Sequence, residues 1–122
     1  MTRERLDLGQ WGEEIALQEI RCLGYRDIAR NYRCDLGEVD IIARDGDTLV
    51  FIEIKTRKNT APVIAKEAVT PRKKRQLSKV ALCYMKSHDC INAKSRFDVV
   101  AVTIQRDRPE VEVIKNAFDL AF

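Results

Sequence analysis

A chain of 122 residues, 45% hydrophobic and 34% charged, has the composition of one soluble globular domain (residues 1–122) and not of a disordered segment. No apolar run approaches the ~20 residues that span a bilayer. The charged start MTRERLDLGQ lacks the apolar stretch of a secretory signal, which predicts a cytoplasmic protein with no membrane partner. Net charge is only +3, but it is uneven: Lys55, Arg57, Lys58, Lys66, Arg72, Lys73, Lys74, Arg75 and Lys79 face a single acid, Glu67, across that segment. Such a run is a candidate anion-binding surface, with a solvated basic helix start as the plain alternative.

In chain order, residues 4–23 read as a helix, with Ala16, Ile20 and Leu23 on one apolar line and Gly24 as its stop. Residues 26–34 read as a strand. The stretch GEVDIIARDGDTLVFIEIK, residues 37–55, reads as two strands around Asp45-Gly46, a hairpin signal. Residues 56–69, with Pro62, read as loop. Thr70-Pro71 opens a second helix, threonine as N-cap and proline at the first helical position, with Leu77, Val80, Ala81 and Tyr84 on one face. Residues 96–104 form an apolar, β-branched strand expected to be buried on both faces. Residues 110–115 make a last strand, and the tail NAFDLAF suggests a short amphipathic helical turn. Helix, three strands, helix and two strands describe an α/β domain with a mixed five-stranded sheet, the second helix serving as a parallel crossover.

Cys22, Cys34, Cys83 and Cys90 show neither a C-x-x-C pair nor a histidine cluster, and are expected to be buried or half-buried free thiols. The lone His88 falls near a helix end, where solvation or capping is the expected role.

Charges inside the hairpin need an explanation. Side chains alternate along a strand, so Glu38, Asp40, Ile42 and Arg44 share one face, and Leu49, Phe51, Glu53 and Lys55 another set. A two-residue loop at Asp45-Gly46 sets Glu38 opposite Glu53. A four-residue loop sets Asp40 opposite Glu53. Either way the two acids lie close, at ~5 Å directly across or about 7–8 Å diagonally. Carboxylates at that spacing repel unless something positive lies between them. Lys55 could supply that charge as a structural ion pair, and so could Mg²⁺, which favours oxygen ligands and keeps waters for a phosphate. In the first helix, Glu13 sits at the edge of the apolar face, with Gly9 and Gly12 inward. In the second, Lys73 precedes Leu77 by four residues and leans inward, with Gln76 at the edge, where a phosphate at the metal could be touched.

Asp40, twelve intervening residues and Glu53-Ile54-Lys55 resemble the D…(D/E)-x-K core of the restriction-endonuclease-like nuclease superfamily. The longer series is more specific. Gly12-Glu13-x-x-Ala16, Gly24-Tyr25, Asn31-Tyr32-Arg33, Gly37–Ile42, Phe51–Arg57, Lys73, Arg96–Val100 and Asn116-Ala117-Phe118 resemble the YraN-like family over nearly the full length. That family of small bacterial proteins is similar to archaeal Holliday-junction resolvases and is described as candidate endonucleases. The resemblance implies a restriction-endonuclease-like fold and an Mg²⁺- or Mn²⁺-dependent endodeoxyribonuclease. It implies that Asp40 and Glu53 bind the metal, assisted by the backbone carbonyl of Ile54 and by Glu13, and that Lys55 orients or deprotonates the attacking water. DNA, selected by structure more than by sequence and with branched or flapped forms as candidates, would be held along Arg57, Lys58, Arg72, Lys73, Lys74 and Gln76. The competing expectation is a non-catalytic nucleic-acid-binding or adaptor protein on the same fold. Trp11 and Leu82, read as outward-facing, offer a homodimer surface.

Overall fold

The computed structural model describes residues 2–58, 69–105 and 108–121, with side chains described from Leu8 onward. Pro62, Lys66 and Glu67 lie outside the described residues. The elements are α1 (Thr2–Cys22), β1 (Arg26–Cys34), β2 (Gly37–Asp45), β3 (Thr48–Lys58), α2 (Pro71–Ser87), β4 (Ser95–Gln105) and β5 (Arg108–Phe118). Their order is the one the sequence predicts. The strands lie in the sheet as β1-β2-β3-β4-β5, antiparallel except for the parallel β3–β4 pair that the α2 crossover creates. Among the described residues, this mixed five-stranded sheet with two helices is consistent with an α/β nuclease-like fold.

The local reasons are mostly those of the sequence. The α1 helix closes with Gly24 and Tyr25 N–H groups donating back to Arg21 and Ile20 carbonyls, Gly24 taking φ +91°. It ends a residue sooner than expected, so Leu23 leaves the apolar line and is exposed, while Leu17 fills the core beside Ala16 and Ile20. Thr70 caps α2, its hydroxyl accepting the Lys73 N–H at 3.2 Å ahead of Pro71.

Three expectations are corrected. The β3 strand continues through residues 56–58 instead of ending at Lys55, because parallel pairing with Val102, Thr103 and Ile104 extends it. The tail is not a helical turn: β5 runs to Phe118, which is buried and stacked on Phe97 at 4.6 Å. The hairpin turn is Gly46-Asp47, with Gly46 at φ +61°, one residue later than Asp45-Gly46.

Two cores sandwich the sheet. Ala16, Leu17 and Ile20 pack on Ile41, Val50, Ile52, Val100 and Val102 on the α1 side. Leu77, Val80, Ala81 and Met85 pack on Ile42, Phe51, Phe97 and Val99 on the α2 side. Each buried leucine, isoleucine, valine, methionine or phenylalanine among them stabilises the fold by about 1.5–3 kcal/mol through its burial.

A polar staple holds the turn end of the sheet. Asp98, fully buried, accepts hydrogen bonds from the Tyr25 hydroxyl (2.6 Å), Arg96 Nε (2.9 Å) and the Asn116 N–H (2.9 Å). Arg96 also donates to Asp45 at 2.7 Å. Burial first, and the Asp98 carboxylate second, push the Tyr25 phenol well above its ordinary range. The hydrogen bond from Arg96 holds Asp45 below the usual carboxylate range.

Candidate functional site

The β2–β3 ladder runs from Asp45↔Thr48 to Ile41↔Ile52. One step further, that register sets Asp40 opposite Glu53, as the four-residue loop of the sequence reading requires. There the strands part: Val39, Glu38 and Gly37 pair with β1 alone. At this fork the Asp40 carboxylate takes the place of a backbone carbonyl and accepts the Ile54 N–H at 2.7 Å. Strict alternation also slips here. Val39 and Ile42 both reach the α2-side core, whereas Ile41 reaches the α1-side core, so Glu38, Asp40 and Ile42 do not share one face as expected.

Glu53 is 5% exposed, in direct contact with Asp40 and flanked by Lys55 Nζ at 3.8 Å and Lys73 Nζ at 3.6 Å. Burial, then the hydrogen bond and charge of Asp40, push its carboxyl up to about 7, against a smaller lowering by the two lysines. Two carboxyls therefore share one site with two ammonium groups at its edge.

A cleft of about 350 Å³ opens at the fork, lined by Gly9, Glu13, Asp40, Ile54, Lys55 and Thr56. Gly12 brings α1 close to β3, since a methyl there would overlap Thr56. A methyl at Gly9 would meet nothing, so packing does not require glycine there. Glu13 faces this cleft but is held by Arg30 at 2.9 Å, with Glu14 on the same guanidinium at 3.4 Å. Among the described residues no three acid, cysteine or histidine side chains converge closely enough to hold a metal ion.

The basic residues fall into separate places. Arg57 and Lys58 lie at the far end of β3, opposite Thr103 and Ile104. Arg72, Lys73 and Gln76 border a second, larger cavity beside α2. Lys74 leans the other way, its Nζ 5.7 Å from the centre of the Phe118 ring. Trp11 is exposed, as expected, whereas Leu82 is half-buried. All four cysteines are free; Cys34, Cys83 and Cys90 are half-buried as expected, whereas Cys22, the last residue of α1, is exposed. His88 caps α2, stacked on Tyr84 at 3.9 Å.

Sequence reasoning missed two side-chain pairings. Arg30 as the partner of Glu13 had no signal, because the pairing joins a helix to a strand across irregular β1. Asp98 and Arg96 appeared within a family motif without a role. Their signal was a charged pair inside an otherwise apolar strand.

Comparison with known proteins places the fork inside a recognised pattern: residues 12–102 match the uncharacterised protein family UPF0102. UPF0102 proteins of Geotalea daltonii and Geobacter sulfurreducens are 52% and 49% identical, each alignment covering 94% of this chain and 91% of the relative. One from Caldicellulosiruptor saccharolyticus is 42% identical over 92% of this chain and 97% of its own length. No helix among the described residues is long and apolar enough to cross a membrane.

Proposed function

Since this chain belongs to the uncharacterised protein family UPF0102, the YraN-like family it resembled, its activity has to be read from its own side chains, and we propose a metal-dependent endonuclease that hydrolyses DNA phosphodiester bonds. The observation that carries this reading is the Asp40–Glu53 pair at the strand fork, with Lys55 and Lys73 beside the buried Glu53 and an open cleft that Asp40 and Lys55 line while Glu53 lies behind it.

The donor set fits a hard divalent cation. Two contacting carboxyls, one of them nearly buried and raised in pKa by that burial first and by the other acid second, form a site whose repulsion a cation would relieve. Asp40 and Glu53 would hold Mg²⁺ or Mn²⁺ together with the Ile54 carbonyl. Glu13 is the third candidate, and its carboxylate must be shared with Arg30. When bound, the metal supplies Lewis acidity and a water of lowered pKa. The protein's own groups do the remainder. Lys55, at the cleft, positions the attacking water or takes its proton, and its charge offsets that building on the phosphate oxygens. Lys73 neutralises the same region from α2. Rigid strands fix both acids, which suits a geometry that tolerates little displacement.

A second reading has an observation in its favour. The engagement of Glu13 by Arg30 leaves two converging acids instead of three, which suits a nucleic-acid-binding or adaptor protein that does not cut. A cleavage assay over linear, single-stranded, flapped and four-way DNA with Mg²⁺ or Mn²⁺ separates the two. The nuclease reading expects cleavage that Asp40→Ala abolishes. Binding without metal-dependent cleavage on any of these forms overturns it in favour of the adaptor.

A further inference from the structure

Beside the fork lies a cavity of about 640 Å³, within the ~300–1,000 Å³ range of clefts that hold a small molecule. One wall is the first turns of α2, carrying Arg72, Lys73, Arg75 and Lys79. The other is the β1–β2 turn, Asp35-Leu36, closed by the Cys34↔Gly37 pair. The walls meet where the Gln76 amide lies over Gly37, so close that a methyl there would stand 2.6 Å from Gln76 Nε2.

Three features bear on what this cavity takes. Among the described residues Arg72, Arg75 and Lys79 pair with no carboxylate, which they share with Arg57, Lys58 and Lys86, but here three such charges line one cavity. Among the described residues Asp35 is the only acid on the lining, so the cavity favours an anion. Leu36, 51% exposed, occupies a two-residue turn where polar residues and glycine are the usual choice. A leucine there adds nothing to the turn and presents an apolar surface to a basic cavity. Lys73 lines the cavity and also stands 3.6 Å from Glu53, which puts the two sites next to each other.

We propose that this cavity takes one unpaired nucleotide flanking the cleavage position, its phosphate against Arg72, Arg75 and Lys79 and its base against Leu36. This rests on the reading of the chain as a DNA-binding nuclease and narrows its substrate class. A paired duplex keeps its bases stacked and offers the cavity phosphates alone. An unpaired nucleotide offers phosphate and base together, and has already lost the stacking that extrusion would have to break. Leucine is one of the side chains that serve as apolar wedges against unstacked bases.

The test is fluorescence anisotropy in the presence of a chelator, so that no cleavage occurs. The probes are a blunt hairpin duplex and the same hairpin with a short unpaired thymidine tail. The tailed probe should bind roughly tenfold tighter, and Leu36→Ala, a change at an exposed turn, should remove that preference while leaving the blunt probe unaffected. Arg75→Ala and Lys79→Ala should weaken both probes and flatten the log–log salt dependence by about 0.9 for each phosphate no longer neutralised. Equal affinity for the two probes, no binding of either, or a tail preference that survives Leu36→Ala would each overturn the proposal. The nuclease reading fails separately: tail preference without metal-dependent cleavage sinks that reading alone, and cleavage without tail preference sinks only the nucleotide site.

Discussion

Asp40→Asn should stabilise the metal-free protein at pH 8. Glu53 is nearly buried, and its carboxyl rises from 4.5 to about 7 in the folded chain. Because the folded value exceeds the unfolded one, Glu53 favours folding while protonated. That contribution is complete below about pH 4.5 and is lost as pH rises through 7. The full rise corresponds to about 3 kcal/mol. Burial is the largest cause and survives the substitution, so the part belonging to Asp40 is smaller, roughly 1 kcal/mol. Asparagine keeps an oxygen to accept the Ile54 N–H and removes the like charge. For a chain of this size, a gain of that order should raise Tm by about 3–5 °C at pH 8. The gain should vanish near pH 4, where Glu53 is protonated in both proteins. Differential scanning calorimetry in chelator at the two pH values measures it. A Tm that is unchanged or lower at pH 8 would refute the account of the fork as a site of unrelieved repulsion. Millimolar Mn²⁺ should then raise Tm for the parent and not for the variant, since a ligand that binds only the folded state stabilises it.

Lys55→Ala should abolish cleavage while leaving DNA affinity within about twofold, because its work belongs to the transition state; parallel cleavage and anisotropy measurements check this. Arg96→Ala leaves the fully buried Asp98 short of its charged partner and should cost about 3–5 kcal/mol, read as a loss of Tm exceeding 10 °C on the order-of-magnitude scaling for small domains. Gly12→Ala drives a methyl into Thr56 and should destabilise the protein by roughly 1–3 kcal/mol, measured by urea denaturation.

The hydrophobic pattern carried most of the element order, because each strand and helix here has a local reason to exist. Thr70-Pro71 marks the start of α2 by its own capping chemistry, and the β-branched run of β4 reads as a buried strand without help from the rest of the chain. Where local and tertiary preferences compete, the sequence is ambiguous. NAFDLAF has helical spacing, but the stacking of Phe118 on Phe97 and the bond from the Asn116 N–H to Asp98 hold residues 116–118 in β5, with Asn116 at φ +53° where the register shifts. The closeness of Asp40 and Glu53 was legible because both plausible registers imply it. The fork was not: a period-two reading assumes that alternation continues, and it slips between Val39 and Ile42. The hold of Arg30 on Glu13 was equally hidden, since nothing in either segment specifies where a helix lies over an edge strand.

The hydrogen bond from the Ile54 N–H to Asp40 gives this protein a spectroscopic window on its own site. A backbone amide bound to a carboxylate has a proton resonance that depends on the charge of its acceptor. Protonation of the acid pair, or a cation drawing electron density from Asp40, would alter that single resonance while amides deep in the parallel β3–β4 ladder keep their frequencies. One isotope-labelled residue at position 54 therefore suffices to follow occupancy of the fork in a titration. It requires no substrate and no turnover, and the parent protein can be followed beside any variant that leaves β3 intact.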